Sequence, residues 1–541
     1  MAQAATAEKS QYSEASEICW RGDEAHNRRQ LWRSILQEAY EMACPWRNPY
    51  AEVTDGGPIP MPNLFDSTAM ISTFRTANRL LTDLVPPDQS WVEIKPGPVL
   101  SMRMSKAQEA ELAKTLFQIQ QIIVMVFKSD KFINSIWEAF LDMLVSGLGA
   151  MLVLENVHND TEPLIFITAS QAEISVEDGP DGAPAAIFRR PRVKPRNIKR
   201  LWPTAKLNDE LLEMLKDNKK SNKAVELMEV TELDHKSGKW VYRVFYRKKG
   251  DDPHQLVMQE HDTCPWILFP WSKIPGCEYG PGPVLLSLPD IRTANKVVEF
   301  QLKNAALALA GMYLVQDDGV VNPDTIQIIP GGMIPVKSTG GSMGASMTPL
   351  PVGRDFDLSQ FILADLRTGI RQSLSDQSLP PADGTRRSAT EIIERMRVLT
   401  SDFGGAVGRL TSALVALVRR VADVLGRRGM IPKVKIDNFA LRVQVNSPLA
   451  QAQQLSLVEK VVRWIEICQT IGGPQLTALV AKLEEILVWI GGQIGVPNDL
   501  IRDVTERAAE RKKMEDMAAM QAAAGMDTAQ AAGGMGGMQP A

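Results

Sequence analysis

Two adjacent arginines, Arg386 and Arg387, stand two and three residues after Gly384 in the polar loop SDQSLPPADGTRRSATE. Guanidinium groups on a loop can grip phosphate oxygens, because their fork of N–H donors matches an oxyanion. The same pair can instead stay solvated, or pair with Glu391 and Glu394 at the start of the helix that follows. Arg367 and Arg371 lie four residues apart and so share one helix face. They can face an anion or bridge to acids on a neighbouring helix, the second being the preferred reading. Lys337 and Arg354 flank a Gly/Ser/Pro-rich stretch containing IPGGMIP and STGGSMGAS; they suit an outward-facing docking surface, against a default of simple solvation.

Bond-making chemistry finds little support. His254, His261, Cys264 and Cys277 are close in sequence, but their spacing fits no standard zinc pattern. The GGSMGAS run lacks the GK[ST] ending of a phosphate-binding P-loop and reads as a flexible loop. No spaced Ser/His/Asp or Cys/His set stands out. The expectation is a protein without catalytic residues, cofactor or metal. An enzyme with an unrecognised site and a scaffold or adaptor that never encircles DNA remain as alternatives.

Composition agrees with a large globular chain. The 541 residues are 44% hydrophobic and 23% charged, enough for a substantial core. Sixty basic and 64 acidic side chains leave a net charge of −4. A static, tight nucleic-acid binder usually carries a strong basic excess, whereas near-neutrality suits a conduit, since each gripped phosphate adds salt-dependent affinity that slows passage. The five cysteines are scattered and odd in number, which reads as a reduced, intracellular protein. The N-terminus lacks an apolar stretch of signal-peptide type. The longest apolar run, Met143 to Leu154, is interrupted by Ser146, Gly147 and Gly149 and falls short of the ~20 residues a membrane span needs.

The elements that must position these residues follow from periodicity. Helical spacing covers Arg28–Cys44 and Asp66–Leu84, the latter capped by Asp66 or Ser67 with Met70, Phe74, Ala77, Leu80, Leu81 and Leu84 on one apolar face. Trp91–Ile94 reads as a strand. Helices at Lys106–Phe127 and Lys131–Leu144 lead through Gly147 and Gly149 into a strand, Ala150–Leu154. From Leu164 the period changes to two. DGPDG joins one hairpin (Ala172–Val176, Ala186–Arg190) and DHKSG another (Leu227–Leu233, Trp240–Arg247), with a helix at Ala205–Lys216 between them. The prolines of CPWILFPW limit it to a short or edge strand. Two long helices come next: Pro289–Ala310, with Pro289 in its first turn and the stripe Ile291, Ala294, Val298, Leu302, Ala305, Leu309, and Phe356–Leu374, with Phe361, Leu363, Leu366, Ile370 and Leu374 apolar. The stretch between them should form a small β or α/β unit. A helix opens at the TRRSATE loop, a strand follows at Leu441–Val445, and amphipathic helices run at Gln451–Thr470, Gln475–Ile490 and Pro497–Lys512. The Met/Ala/Gly/Gln tail from Lys513 cannot bury enough surface to fold alone.

This order resembles the portal, or head-to-tail connector, protein of short-tailed, podovirus-type phages. The segments that carry the resemblance are DSTAMISTFRTANRLLTDLVPPDQSWVEI, FINSIWEAFLDMLVSGLGAMLVLEN, CPWILFPWSKIPGCEYGPGPVLLSLPDIRTANKV and TRRSATEIIERM, together with the tail. The resemblance implies an α+β, mainly helical portal fold: a wing part over 1–280, stem helix 1 at 281–310, clip at 311–355, stem helix 2 at 356–375, tunnel loop at 376–390, wing helix and C-terminal wing part at 391–445, helical crown at 446–512, then the tail at 513–541. It further implies a homo-oligomer, a dodecamer, set at one capsid vertex and assembled in the host cytoplasm. Double-stranded DNA would pass through it in packaging and ejection. Arg386, Arg387, Gly384, Arg367 and Arg371 would belong to the channel, and Lys337 and Arg354 to a clip that docks first the terminase and then tail adaptor and nozzle proteins. Major capsid protein, scaffold and internal core proteins would touch the wing and crown; no membrane partner is implied. Twelve helices spaced ~9 Å apart give a circumference of ~108 Å and, less a helix half-width of ~5 Å, a lumen of ~24 Å, enough for a DNA duplex.

Overall fold

The computed structural model describes residues 2–51, 64–87, 90–180, 182–247, 252–277, 279–310, 313–315, 347–349, 356–376, 389–432 and 441–445, and in the C-terminal part 458, 460–471, 473, 480–494, 507, 510–513 and 517. Contacts divide the chain into two units, Met1–Ser447 and Pro448–Ala541.

The first unit opens with α1 (Ala2–Gln30) and α2 (Arg33–Ala43), followed by a 3-10 turn at Pro45–Arg47. A helix was expected over Arg28–Cys44. The chain instead turns at Leu31 and Trp32, so that α1 lies on a sheet while α2 packs on the helices below. Next come α3 (Thr68–Leu84), β1 (Val92–Pro96), α4 (Pro98–Arg103), α5 (Lys106–Phe127) and α6 (Asp130–Ser146). Ser105 and Gln108 form a reciprocal capping box on α5. Gly147, at φ +85°, ends α6 in the left-handed conformation that a side chain disfavours. The buried face of α3 differs from the apolar stripe: Ser72, Thr73 and Thr76 are buried with Ala77, Leu80 and Leu84, while Phe74 is exposed. Ser72 and Thr76 turn inward because they have hydrogen-bond partners at the end of the chain segment 356–376, and the Thr73 hydroxyl donates to the Ala69 carbonyl of its own helix.

Three strands, β2 (Leu148–Glu155), β3 (Leu164–Thr168) and β10 (Trp266–Pro270), make an antiparallel sheet ordered β10-β2-β3. Its middle strand, β2, is buried from Leu148 through Leu154, and the proline-bounded β10 is an edge. The larger sheet holds β4 (Ile174–Asp178), β5 (Pro184–Arg189), β6 (Arg192–Val193), β7 (Val225–Asp234), β8 (Lys239–Tyr246) and β9 (His254–His261). It is ordered β4-β5-β7-β8-β9, with β6 beside β7. Both expected hairpins are present, β4–β5 and β7–β8. β9 was not anticipated. The helix expected at Ala205–Lys216 is α8 (Asp209–Lys216), which starts later, capped by Asn208; a further short helix that was not anticipated, α7 (Pro195–Leu201), precedes it.

The remaining elements are α9 (Pro283–Ala310), β11 (Tyr313–Val315), β12 (Met347–Pro349), α10 (Phe356–Ser373), α11 (Ala389–Arg427) and β13 (Leu441–Val445). β13 pairs antiparallel with β1, across most of the unit's sequence. Asp142, only 2% exposed, ties α2 and the 3-10 turn to α6: Arg47 grips it at 2.9 and 2.8 Å, and the Tyr40 hydroxyl donates to it at 2.8 Å. The second unit contains helical residues 460–471 and α12 (Leu483–Ile494), with an ion pair between Arg511 and Glu484.

Candidate functional site

α9 starts earlier than the sequence suggested. Pro283, not Pro289, occupies the first turn, with the Gly282 carbonyl accepting from the Leu286 N–H at 3.1 Å. Pro289 is therefore inside the helix, where it supplies no N–H to the carbonyl four residues earlier. The reason lies in the chain before it. A Cβ on Gly147 would stand 1.9 Å from the Gly280 carbonyl oxygen, and one on Gly282 would stand 2.6 Å from that of Leu144. Only glycines let the segment run this close to the α6–β2 corner, and that contact fixes where α9 leaves the body.

α9 and α10 pack side by side. Leu288, Ile291 and Ala294 share one buried cluster with Leu363, Ile370 and Leu374, reached by Leu36, Ala39 and Tyr40 of α2. Beyond the end of α9 and before the start of α10, β11 and β12 pair antiparallel, so the two helices form a hairpin whose excursion is tied at its root. The outer part of the hairpin is bare in the single chain: Phe300, Leu302 and Phe361 are exposed.

The loop that carries Asp66 locks the hairpin. The Asn295 side-chain oxygen on α9 accepts from the N–H groups of Phe65 and Asp66 at 2.7 and 3.0 Å. Asp66 Oδ1 accepts from the Thr68 N–H at 2.8 Å, so Asp66 rather than Ser67 supplies the cap. Its Oδ2 accepts from Arg367 Nε of α10 at 2.8 Å. Burial pushes the Asp66 carboxyl up, but the bonds from Thr68 and Arg367 outweigh it and hold it below the usual range. Arg367 was expected to face an acid of a neighbouring stem; its partner is Asp66 of its own chain. Arg371 is exposed on α10. Lys337, Arg354, Gly384, Arg386 and Arg387 lie outside the described residues.

The end of α10 is gripped by α3. Ser375 adopts φ 54°, the left-handed region, and the Asp376 N–H donates back to the Arg371 carbonyl at 2.8 Å, closing the helix. The Ser72 hydroxyl donates to Asp376 Oδ2 at 2.8 Å, Thr76 Oγ1 to the Leu374 carbonyl at 2.8 Å and Arg79 to the Ser375 carbonyl at 3.3 Å. These contacts stand immediately before residues 377–388. On the other side, α11 is fastened by arginines. Arg409 donates to the Trp271 carbonyl, and Arg420, fully buried, donates to the Val153 carbonyl at 3.2 and 3.1 Å and to that of Thr263 at 3.4 Å. The eleven-residue spacing of this pair is close to three helical turns, which puts both on one face. Arg427, further along, donates to His261 Nδ1 at 3.2 Å. Burial, then Arg427, lowers Arg420 to about 10; burial, then Arg420 and Arg427, lowers His261 to about 3.

His254, by contrast, contacts the Lys206 carbonyl at 3.2 Å, and burial pushes the Cys264 thiol up to about 12. Among the described residues no group of three His, Cys, Asp or Glu side chains is arranged to hold a metal ion, the five cysteines are free, and no helix is long and apolar enough to cross a membrane. Sequence reasoning missed Asn295, Ser72, Thr76, Asp376, Arg409 and Arg420. The one signal was Asp66, recognised as a cap but not as the partner of Arg367.

The family described as bacteriophage head to tail connecting protein matches residues 15–501. The chain belongs to that family, and is thus a structural component of a phage-type virion. No curated relative matches it. A chain of the virion of a native gene transfer agent (GTA) particle is similar over 75% of this chain and 90% of its own, at 14% identity and a TM-score of 0.33.

Proposed function

We propose that this chain is a portal subunit: copies form a ring at one capsid vertex through which double-stranded DNA is packaged and ejected. α9 and α10 are the staves of its channel. The observation that carries this reading is the uneven burial of the hairpin. Its base is sealed against the body, whereas Phe300, Leu302 and Phe361 are 63, 56 and 74% exposed in one chain. Hairpins standing side by side around an axis bury such residues between copies, each burial contributing about 1.5–3 kcal/mol. The excursion between α9 and α10 is then the clip, docking terminase and later the tail adaptor and nozzle proteins, and the body meets capsid, scaffold and core proteins. The connection between α10 and α11 is then the tunnel loop, and Arg386 and Arg387 repeat around the ring as cationic rings that touch phosphates.

Negative-stain images of the purified chain test the assembly: a rotationally symmetric annulus with an axial hole is expected, and compact monomers without an opening would overturn it. Replacing Arg386 and Arg387 together by Ala should leave the annulus intact but change DNA packaging or retention. Unchanged packaging and retention would remove both from the channel.

A further inference from the structure

A cavity of about 770 Å³ lies where the ends of α1 and β5 and the starts of α2 and β7 meet. Arg33, Arg190, Arg192 and His26 line it, with Tyr50 on one wall. Two acids line it as well. Glu173 is held by Arg189 at 3.1 Å, and Glu226 stands directly across the strand pair from Arg192. Asp23, outside the cavity, pairs with both Arg190 and Arg247. Three arginines against two glutamates leave the lining with one positive charge in excess.

Behind the wall sits a further guanidinium. Arg29 is 3% exposed and stacks 4.2 Å above the Tyr279 ring. Its Nη2 donates to Gln171 Oε1 at 2.9 Å, and the backbone carbonyl of the same glutamine accepts from the Tyr50 hydroxyl at 3.3 Å. Arg29 Nε and Nη1 have no acceptor, and no ion pair to Arg29 exists among the described residues. Two lining groups share this condition: Arg190 Nε and His26 Nδ1 are buried without partners. With the Gln30 amide donating to Nε2 at 2.9 Å, the neutral His26 ring carries its proton on Nδ1.

We propose that this cavity binds a phosphate group. Buried donors without acceptors are costly; an oxyanion in the cavity offers acceptors to the two such donors of its lining, Arg190 Nε and His26 Nδ1, beside the charges of Arg33 and Arg192. Donors arrive from α1, α2, and the β5–β6 side. The three terminal oxygens of a phosphate meet more of them than the two of a planar carboxylate. Glu173 and Glu226 restrict the site to one such group, since a run of phosphates would crowd against them. The site does not depend on ring formation.

The test is thermal unfolding of the full chain in inorganic phosphate and in chloride at matched pH and ionic strength. Phosphate should raise the midpoint saturably. The double variant Arg33→Gln, Arg192→Gln, altered only at exposed positions, should weaken the apparent Kd roughly ten-fold or more. Lys219→Gln with Lys220→Gln, an equal charge change elsewhere, should bind as the parent does. Equal midpoints in phosphate and chloride, an equal effect from acetate, or unchanged binding by the arginine double variant would overturn the site. A duplex oligonucleotide should not compete, because its run of phosphates meets Glu173 and Glu226; competition present in the parent and lost in the arginine double variant would overturn the restriction to a single phosphate group.

Discussion

The chain is fastened on both sides of residues 377–388, by different chemistry. Before them, α3 holds the end of α10 mainly through small hydroxyls and one carboxylate, with Arg79 on the Ser375 carbonyl, around a serine in the left-handed conformation. After them, α11 is held by guanidiniums on backbone carbonyls, with Arg420 fully buried. The first fastening is several modest bonds of about 1 kcal/mol each, which can release one at a time. In the second, removing Arg420 strands buried carbonyls and opens a void together.

Changes on the two sides should therefore differ in size. Arg420→Ala should lower unfolding free energy most, by about 3–5 kcal/mol, from the cavity and the unpaired Val153 and Thr263 carbonyls; chemical denaturation measures it, and a loss below about 1 kcal/mol would erase the contrast. His261 offers a pH probe of the same side. Its folded-state pKa of about 3 lies below the unfolded value of about 6.5, so the unfolded chain binds a proton that the folded chain refuses. Stability should fall as pH drops below about 6.5, continuing to about pH 3, at about 1.4 kcal/mol per pH unit from this group. His261→Gln should remove that share of the slope in urea midpoints taken between pH 7 and 5, leaving the part due to His26, which burial lowers to about 4.

On the α10 side the effects should be smaller. Asp376→Ala should cost about 1–2 kcal/mol, by loss of the Ser72 bond, and hydrogen exchange should rise at the end of α10 while α11 keeps its protection. The smallest change has the opposite sign. Ser375→Gly should stabilise by about 0.5–1 kcal/mol in thermal unfolding, because glycine takes φ 54° without the side-chain penalty. A destabilised glycine variant would mean that the Ser375 side chain contributes more than its backbone strain costs.

The sequence by itself determined most of the elements. Turn chemistry at DGPDG and DHKSG set both hairpins, and apolar spacing set α5, α6 and α10, since local periodicity and capping decide these before any long-range contact forms. The family could be read in the order of such segments. Only the tertiary structure decided which of two prolines begins α9, because that choice rests on glycines meeting the α6–β2 corner. It also decided that α3 turns hydroxyls inward, that Arg367 belongs to Asp66, and that Arg420 is buried. Each of these joins residues far apart in the chain, 301 positions for Asp66 and Arg367, and a pairing of that span leaves no periodic trace in either segment.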